Sequence, residues 1–240
     1  MASVLRRPEG TAPLSAPPWR AWEAAVVFGV GYVLGDLLRS PLGGSAVERE
    51  AGVVVVEATW TALLLLWLRG SHPGWATRLG QPSRPWAEVR EGAVFGSILY
   101  GVIGLAVALP LVRTMGLGEE AAAGARASAS PSSVVEVLVA ATSALVVAPV
   151  AEEFFFRGLL FTAARARTGT VPATLASAAL FGVVHFAPAS PAASLVPAAI
   201  ACCLGVGLAV LYERRANLLA PLGAHVAFNA IGLVVLFTRG

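Results

Sequence analysis

The sequence predicts an all-α integral membrane protein, a polytopic bundle of about seven transmembrane helices within a range of six to eight. Hydrophobic residues make up 57% of the 240 residues and charged residues only 13%. That charged fraction is well below the roughly 25% of soluble domains. The mean hydropathy is +0.75, and apolar segments near the roughly 20 residues needed to cross a bilayer recur along the whole chain.

The first three predicted spans are residues 21–38, 51–68 and 92–112. Residues 1–20 are Pro-rich and polar, and we expect a disordered cytoplasmic tail there, followed by a single transmembrane domain over residues 21–240. Asp36 precedes Arg39 by three positions, which is typical of an ion pair at a helix end. Gly92 and Gly96 open the third span with a spacing that permits close helix approach, and we assign them no functional role.

The remaining predicted spans are residues 134–162, 172–188, 192–211 and 217–237. A Gly/Ala/Ser-rich loop, residues 113–133, precedes the fourth span. Cys202 and Cys203 are adjacent within an apolar run, which fits neither a disulfide framework nor a spaced metal pair, so we interpret them as packing residues. The chain shows no internal repeat, which disfavours an inverted-repeat transporter.

The distribution of arginine predicts the orientation. All 17 basic residues are arginines, which indicates a bacterial coding bias rather than a nucleic-acid surface. With the N-terminus inside, eleven arginines lie on the cytoplasmic side and five outside, and Arg157 lies within a span. Positive residues favour the cytoplasmic side. We therefore predict a multi-pass protein of the cell inner (plasma) membrane with a cytoplasmic N-terminus and no nucleic-acid partner.

Three polar clusters interrupt the last four spans. Each ionisable group at the centre of a bilayer costs about 2.5 to 3.5 kcal/mol on insertion scales, so such groups indicate function. Counted along the helices, the clusters lie roughly 12 to 20 Å from the cytoplasmic helix ends and share one layer. The clusters are Glu152-Glu153-x-x-x-Arg157, Phe181-x-x-x-His185 and His225-x-x-x-Asn229.

Helix periodicity separates the two glutamates. Residues four apart share a helix face, so Glu153 faces Arg157 and a buried salt bridge is the preferred interpretation of that pair. Glu152 points elsewhere and is the less committed carboxylate, and near His185 and away from bulk water it suits a general base that takes a proton from water. Pro149 lacks a backbone donor, and we expect it to kink the helix and free carbonyl groups near the site.

His225 and Asn229 are also four apart, so two N–H donors can point to one place. Such a pair can stabilise an oxyanion. Taken alone, His185 is more simply a polar helix contact and Asn229 an interhelical hydrogen bond. Phe181 is expected to pack beside His185. Glu57 lies inside the second span as a potential further member of the cavity, but it has no partner at motif spacing and is not assigned to catalysis.

The three motifs, in this order on successive apolar helices, resemble those of the CPBP intramembrane proteases, the CAAX protease and bacteriocin-processing group that includes type II CAAX prenyl endopeptidases. The resemblance covers a protease-like core, residues 134–238. It implies a helical membrane hydrolase whose site opens toward the cytoplasm. It also implies that Glu152 and His185 activate water, that His225 and Asn229 hold the oxyanion, and that Glu153 and Arg157 support them.

The polar clusters are compatible either with a divalent metal site or with a metal-free mechanism. Members of the group are often called metalloproteases, and Glu152, His185 and His225 are a potential set of ligands for zinc or another divalent metal. The chain has no His-Glu-x-x-His helix, however, and metal binding would disable His225 as a donor. We therefore favour a mechanism without a metal or other cofactor.

The sequence is compatible with three functions. The first is an intramembrane endopeptidase acting on membrane-associated proteins or peptides, including a role in maturation or bacteriocin immunity. A bacterial source makes prenylated CAAX proteins poor candidates for its natural substrates. The second is a non-proteolytic scaffold, self-immunity or regulatory protein that binds a partner in the same cavity. The third is a proton-coupled transporter, which the lack of a repeat disfavours.

Overall fold

The computed structural model describes residues 12–42, 44–116, 133–186 and 191–239, and in these ranges it contains helices and no strand. Hydrophobic segments fold as helices in lipid because each helix satisfies its own backbone hydrogen bonds. The described residues form seven principal helices and a short 3₁₀ turn, Trp75–Leu79. The helices are α1 Ala21–Arg39, α2 Ala46–Ser71, α3 Pro85–Thr114, α4 Val134–Thr168, α5 Thr170–Val184, α6 Pro191–Arg215 and α7 Leu219–Arg239.

Six of these helices are long and apolar enough to cross a membrane by length and composition. The predicted all-α class and the multi-pass arrangement are therefore confirmed. The exception is α5, which has 15 residues and ends before His185, where a span over 172–188 was predicted. The opposite deviation occurs in α4, which runs 35 residues and continues past the predicted end at residue 162.

Within its predicted part, α4 contains two π-helical segments, Ser143–Val147 and Glu153–Phe161. π segments widen a helix and are frequent at functional sites. In the first segment the N–H of Ala148 bonds to the carbonyl of Ser143, five residues earlier. The next donor in this register would be Pro149, which has no N–H. The carbonyl of Ala144 therefore lacks its helical partner, as the sequence analysis expected of this proline.

Close packing of α3 against α7 fixes the position of the last polar cluster. A Cβ atom added at Gly92 would lie 2.0 Å from the carbonyl oxygen of Ala220, and one at Gly96 would lie 2.0 Å from that of Ala224. No side chain fits these two positions, so the backbones touch directly. The Gly92 and Gly96 spacing thus serves helix packing, and it holds the segment of α7 that precedes His225.

One end of the bundle collects ion pairs and is called here the arginine-rich end. It is formed by residues 12–20, 75–91, 165–169 and 213–217. Arg215 contacts Glu88 at 2.7 Å and Glu91 at 2.9 Å, and Arg165 pairs with Glu213. The turn between α1 and α2 lies at the opposite end, because α1 begins beside the arginine-rich end and runs away from it.

The tail that precedes α1 is ordered in its described part. Trp19 is fully buried, and its indole N–H donates to the carbonyl of Leu159 at 3.2 Å. Leu14 is 7% exposed, and its carbonyl accepts from Arg165. Residues 12–20 thus pack on the bundle, which corrects the prediction of disorder for them. Residues 1–11 lie outside the described ranges.

Candidate active site

The three polar clusters meet between α4, α5 and α7. The Nε2 atom of His185 lies 3.9 Å from one carboxylate oxygen of Glu152, and the Nε2 atom of His225 lies 3.6 Å from the other. Glu152 and His185 retain some exposure, with 14% and 35% of their side chains accessible. The convergence expected from helix depth is therefore present, and both imidazoles face the same carboxylate.

The contacts of the two Nδ1 atoms indicate which nitrogen of each imidazole carries a hydrogen. Nδ1 of His185 lies 2.7 Å from the carbonyl oxygen of Phe181, and Nδ1 of His225 lies 2.9 Å from Oε1 of Glu153. A carbonyl and a carboxylate oxygen only accept, so each Nδ1 donates its hydrogen. In the neutral rings, each Nε2 then carries a lone pair on the side of Glu152.

Glu153 and Arg157 form the buried salt bridge predicted from their spacing. Their closest atoms are 3.1 Å apart, and the side chains are 2% and 0% exposed. The guanidinium of Arg157 also donates to the carbonyl of Gly205 at 3.4 Å and lies 4.5 Å from the ring centroid of Phe181. A further contact escaped sequence reasoning: Glu153 is also the acceptor for His225, so it orients that imidazole.

Phe181 lies at the centre of these groups. It is 1% exposed, and its ring centroid is 4.7 Å from that of His185 and 5.8 Å from that of His225. The expectation that it packs beside His185 is met. Because its face is also occupied by Arg157, Phe181 fixes the spacing between the guanidinium and both imidazoles.

The amide of Asn229 has a structural partner. Its Nδ2 atom donates to the carbonyl oxygen of Ala144 at 2.8 Å, the group that Pro149 leaves without a helical donor. One of the two amide hydrogens is therefore committed to α4. His225, one turn away on α7, likewise has its Nδ1–H committed to Glu153. The predicted joint donation of His225 and Asn229 to an oxyanion must use the second hydrogen of each group.

A cavity of about 240 Å³ leads to Glu152 and His185. Its walls are aromatic and aliphatic side chains of α1, α2 and α4, and it reaches Arg39 at the far end of α1. It also contains Glu57, which the sequence analysis named as a potential further member of the cavity without assigning it to catalysis. The cavity runs toward the α1–α2 turn, away from the arginine-rich end. The arginine distribution predicts that the arginine-rich end is cytoplasmic, and in that orientation the cavity opens on the opposite side from the one that the family resemblance implied.

Within the ranges that the structure describes, no group of three His, Cys, Asp or Glu side chains is arranged to hold a metal ion. The mechanism without a metal stays a prediction.

Comparison with known proteins finds a family that this region resembles. Residues 134–231, less than half of the chain, match the family model described as type II CAAX prenyl endopeptidase Rce1-like. The matched region contains all three clusters, and the predicted resemblance is confirmed. This family is a protease family, which supports a hydrolase with a lipid bilayer around it and a membrane-associated substrate. No curated protein and no solved structure matches the chain.

Proposed function

We propose that the protein is an intramembrane endopeptidase that hydrolyses peptide bonds of membrane-associated proteins or peptides by means of water activated at Glu152. The observation that carries the proposal is the approach of both histidine Nε2 atoms to the two oxygens of Glu152, at 3.9 and 3.6 Å. These distances exceed direct hydrogen bonds. A water beside Glu152 can therefore bond to the carboxylate and to an imidazole, and apo sites tighten when substrate binds.

The net charge of the site requires one additional proton for neutrality. Glu152, Glu153 and Arg157 together carry a net charge of −1, and a net charge is costly in hydrocarbon. A single additional proton neutralises the group. Glu152 and the two imidazoles are the groups that can hold it. His225 is the favoured holder, because Glu153 stabilises an imidazolium through Nδ1–H in the way a carboxylate supports a catalytic histidine.

From that state, hydrolysis proceeds by addition of water and then cleavage of the C–N bond. The water oxygen bonds to the carbonyl carbon while its proton passes to Glu152, and the carbonyl oxygen takes the electron pair of its π bond. His225 Nε2–H donates to this oxyanion, together with the free hydrogen of Asn229. The C–N bond then breaks as Glu152 returns its proton to the leaving nitrogen. The products are a carboxylic acid and an amine, and Glu152 is again a carboxylate.

The test is Glu152→Gln, which keeps the shape of the side chain and removes the base. Loss of general base catalysis costs about 100- to 10,000-fold, so peptides released by the wild type should disappear from cells that carry the variant. Labelling of new protein termini in membranes of both strains identifies the products. Synthetic peptides spanning the sites, incubated with the purified protein, then give the rate constants.

Glu50→Gln on α2 is the matched control and should cleave at the wild-type rate. Equal membrane content and equal thermal unfolding of the three proteins exclude a folding defect. If Glu152→Gln cleaves as fast as the wild type, the assignment of Glu152 is wrong. If no terminus depends on the wild-type protein and no peptide is cut, the scaffold function replaces the endopeptidase.

The role of metal is tested on the same peptides. Without a metal, the rate should be unchanged after dialysis against a chelator. A rate that falls and is restored by added zinc would contradict the metal-free step, and it would assign Glu152, His185 and His225 as ligands instead.

A further inference from the structure

Glu57 is a buried carboxylate whose role the hydrolytic step does not explain. It lies in the middle of α2 and lines the same cavity as Glu152 and His185. The residue is 8% exposed, and its Oε2 atom has no hydrogen-bond partner among the described residues. Buried polar groups are normally paired, so this oxygen is available to a group that enters the cavity.

The surroundings of Glu57 do not supply a compensating positive charge. Glu50, two turns earlier on α2, and Glu152 both repel it. Arg39 at the mouth of the cavity is the nearest cation along the wall, but it pairs with Asp36 at 2.6 Å. His185 faces Glu152. The cavity therefore holds more negative than positive charge, and a cationic occupant would lower its energy.

The remaining walls suit an organic cation. Phe28, Tyr32, Trp60 and Phe156 line the cavity. Aromatic faces attract cations, most strongly when the cation is desolvated. A volume of about 240 Å³ equals about eight water molecules at roughly 30 Å³ each, which is room for one long side chain. Guanidinium fits better than ammonium, because it is planar, stacks on aromatic rings and pairs with a carboxylate through two bonds.

We propose that this cavity is a substrate subsite for a basic side chain, arginine before lysine, and that Glu57 is its specificity-determining residue. The inference rests on the proposed endopeptidase function. Because Glu57 shares the cavity with Glu152, a side chain bound at Glu57 places the adjoining peptide bond beside the base. Substrates would thus be cut next to a basic residue that enters from the end of the bundle opposite the arginine-rich end.

A binding experiment tests the subsite without relying on cleavage. The probes are N-dodecanoyl arginine amide and N-dodecanoyl citrulline amide, which have nearly the same shape and differ in charge. The full-length protein in detergent should bind the arginine probe at least about ten-fold more tightly, since hydrogen bonds between charged groups are worth that much. Titration calorimetry with Glu57→Gln should show the two probes binding equally.

Two further variants separate the subsite from the rest of the cavity. Glu50→Gln, whose charge lies outside the cavity lining, and Glu152→Gln, which disables hydrolysis, should both keep the preference for arginine. Equal binding of the two probes by the wild-type protein would overturn the inference, and so would an unchanged preference in Glu57→Gln.

Cleavage kinetics separate this inference from the proposed function. With peptides that differ only in arginine or citrulline beside the cut bond, Glu57→Gln should raise KM for the arginine peptide about ten-fold and leave kcat for the citrulline peptide unchanged. If the wild type cuts both peptides with the same KM, the subsite is wrong and the endopeptidase stands. If nothing is cut while arginine binding persists, the endopeptidase is wrong, and Glu57 stands as a binding site for a basic group but not as a substrate subsite.

Discussion

Two clusters in this protein each contain two glutamates and one arginine and use them differently. At the arginine-rich end, Arg215 contacts both Glu88 and Glu91 directly, at 2.7 and 2.9 Å. In the candidate active site, Arg157 pairs directly with Glu153 alone, at 3.1 Å. The other carboxylate, Glu152, faces two imidazoles at 3.6 and 3.9 Å.

The difference separates structural from chemical use of charge. A fully paired cluster has no group left to exchange a proton and serves to hold α3 against α6. A cluster with one loosely contacted carboxylate and two imidazoles can move a proton without breaking its salt bridge. Glu153 has both a structural and a chemical use, because it pairs with Arg157 and also orients His225.

The largest effect is expected from Arg157→Met. Removing one partner of a buried ion pair costs about 3 to 5 kcal/mol, because the remaining charge has no compensation. Glu152 and Glu153 would then face His225 as their one cationic partner, so the site keeps an uncompensated negative charge and the orientation of His225 is weakened. We expect a large drop in the free energy of unfolding, measured by denaturant titration in detergent, and no detectable cleavage.

A second variant distinguishes charge from packing at this position. In the double variant Glu153→Gln and Arg157→Met, no unpaired charge is buried, so part of the stability should return while cleavage stays low. Stability that does not return would show that the guanidinium acts by packing on Phe181 rather than by neutralising Glu153.

A similar stability loss, toward the lower end of the same range of about 3 to 5 kcal/mol, is expected from Arg215→Met. Glu91 is 32% exposed and can be hydrated, whereas Glu88 is 3% exposed and cannot. Because this cluster lies away from Glu152, kcat per folded molecule should be unchanged. A kcat that falls with the stability would contradict the division between the two clusters, and Arg214→Met on the same turn serves as the control.

The smallest effect is expected from Asn229→Ala. It leaves the carbonyl of Ala144 without a donor, which costs about 1 to 3 kcal/mol. Adding Pro149→Ala supplies a backbone N–H in the π-helical register, so the double variant should regain most of the stability. Thermal unfolding measures that recovery.

Cleavage by the same double variant sharpens the role of Asn229. If Asn229 also donates to the oxyanion, kcat should stay low although stability returns. Recovery of both quantities would limit Asn229 to a positioning role and remove it from the oxyanion site.

The parts of this architecture that could be predicted from the sequence depend on local periodicity. The seven apolar segments follow from length and composition, and the Glu153–Arg157 pair follows from a four-residue spacing. The shared layer of the clusters follows from counting residues along helices. The end of α5 was placed too late because apolar character was followed through residues 186–188, although Pro188 is the kind of residue that follows a helix end.

Contacts between distant helices escaped prediction. The bond from His225 to Glu153 joins residues 72 positions apart, and that from Asn229 to Ala144 joins residues 85 apart. Neither leaves a local pattern. Pro149 gave a signal for the second bond, since it predicted a free carbonyl without saying which side chain would reach it. Glu57 was recognisable as an intramembrane acid, but only the packing of α1, α2 and α4 places it in the cavity.

The short α5 has a consequence for the surrounding lipid. Its 15 residues span about 22 Å at 1.5 Å per residue, less than the roughly 30 Å hydrocarbon thickness of a bilayer. Val171, Leu175 and Val183 are exposed along it, so this helix faces acyl chains. A bilayer adapts to a short hydrophobic length by thinning. We therefore expect the headgroup region to dip beside α5 toward His185, so that membrane thickness itself would determine how readily water reaches the site.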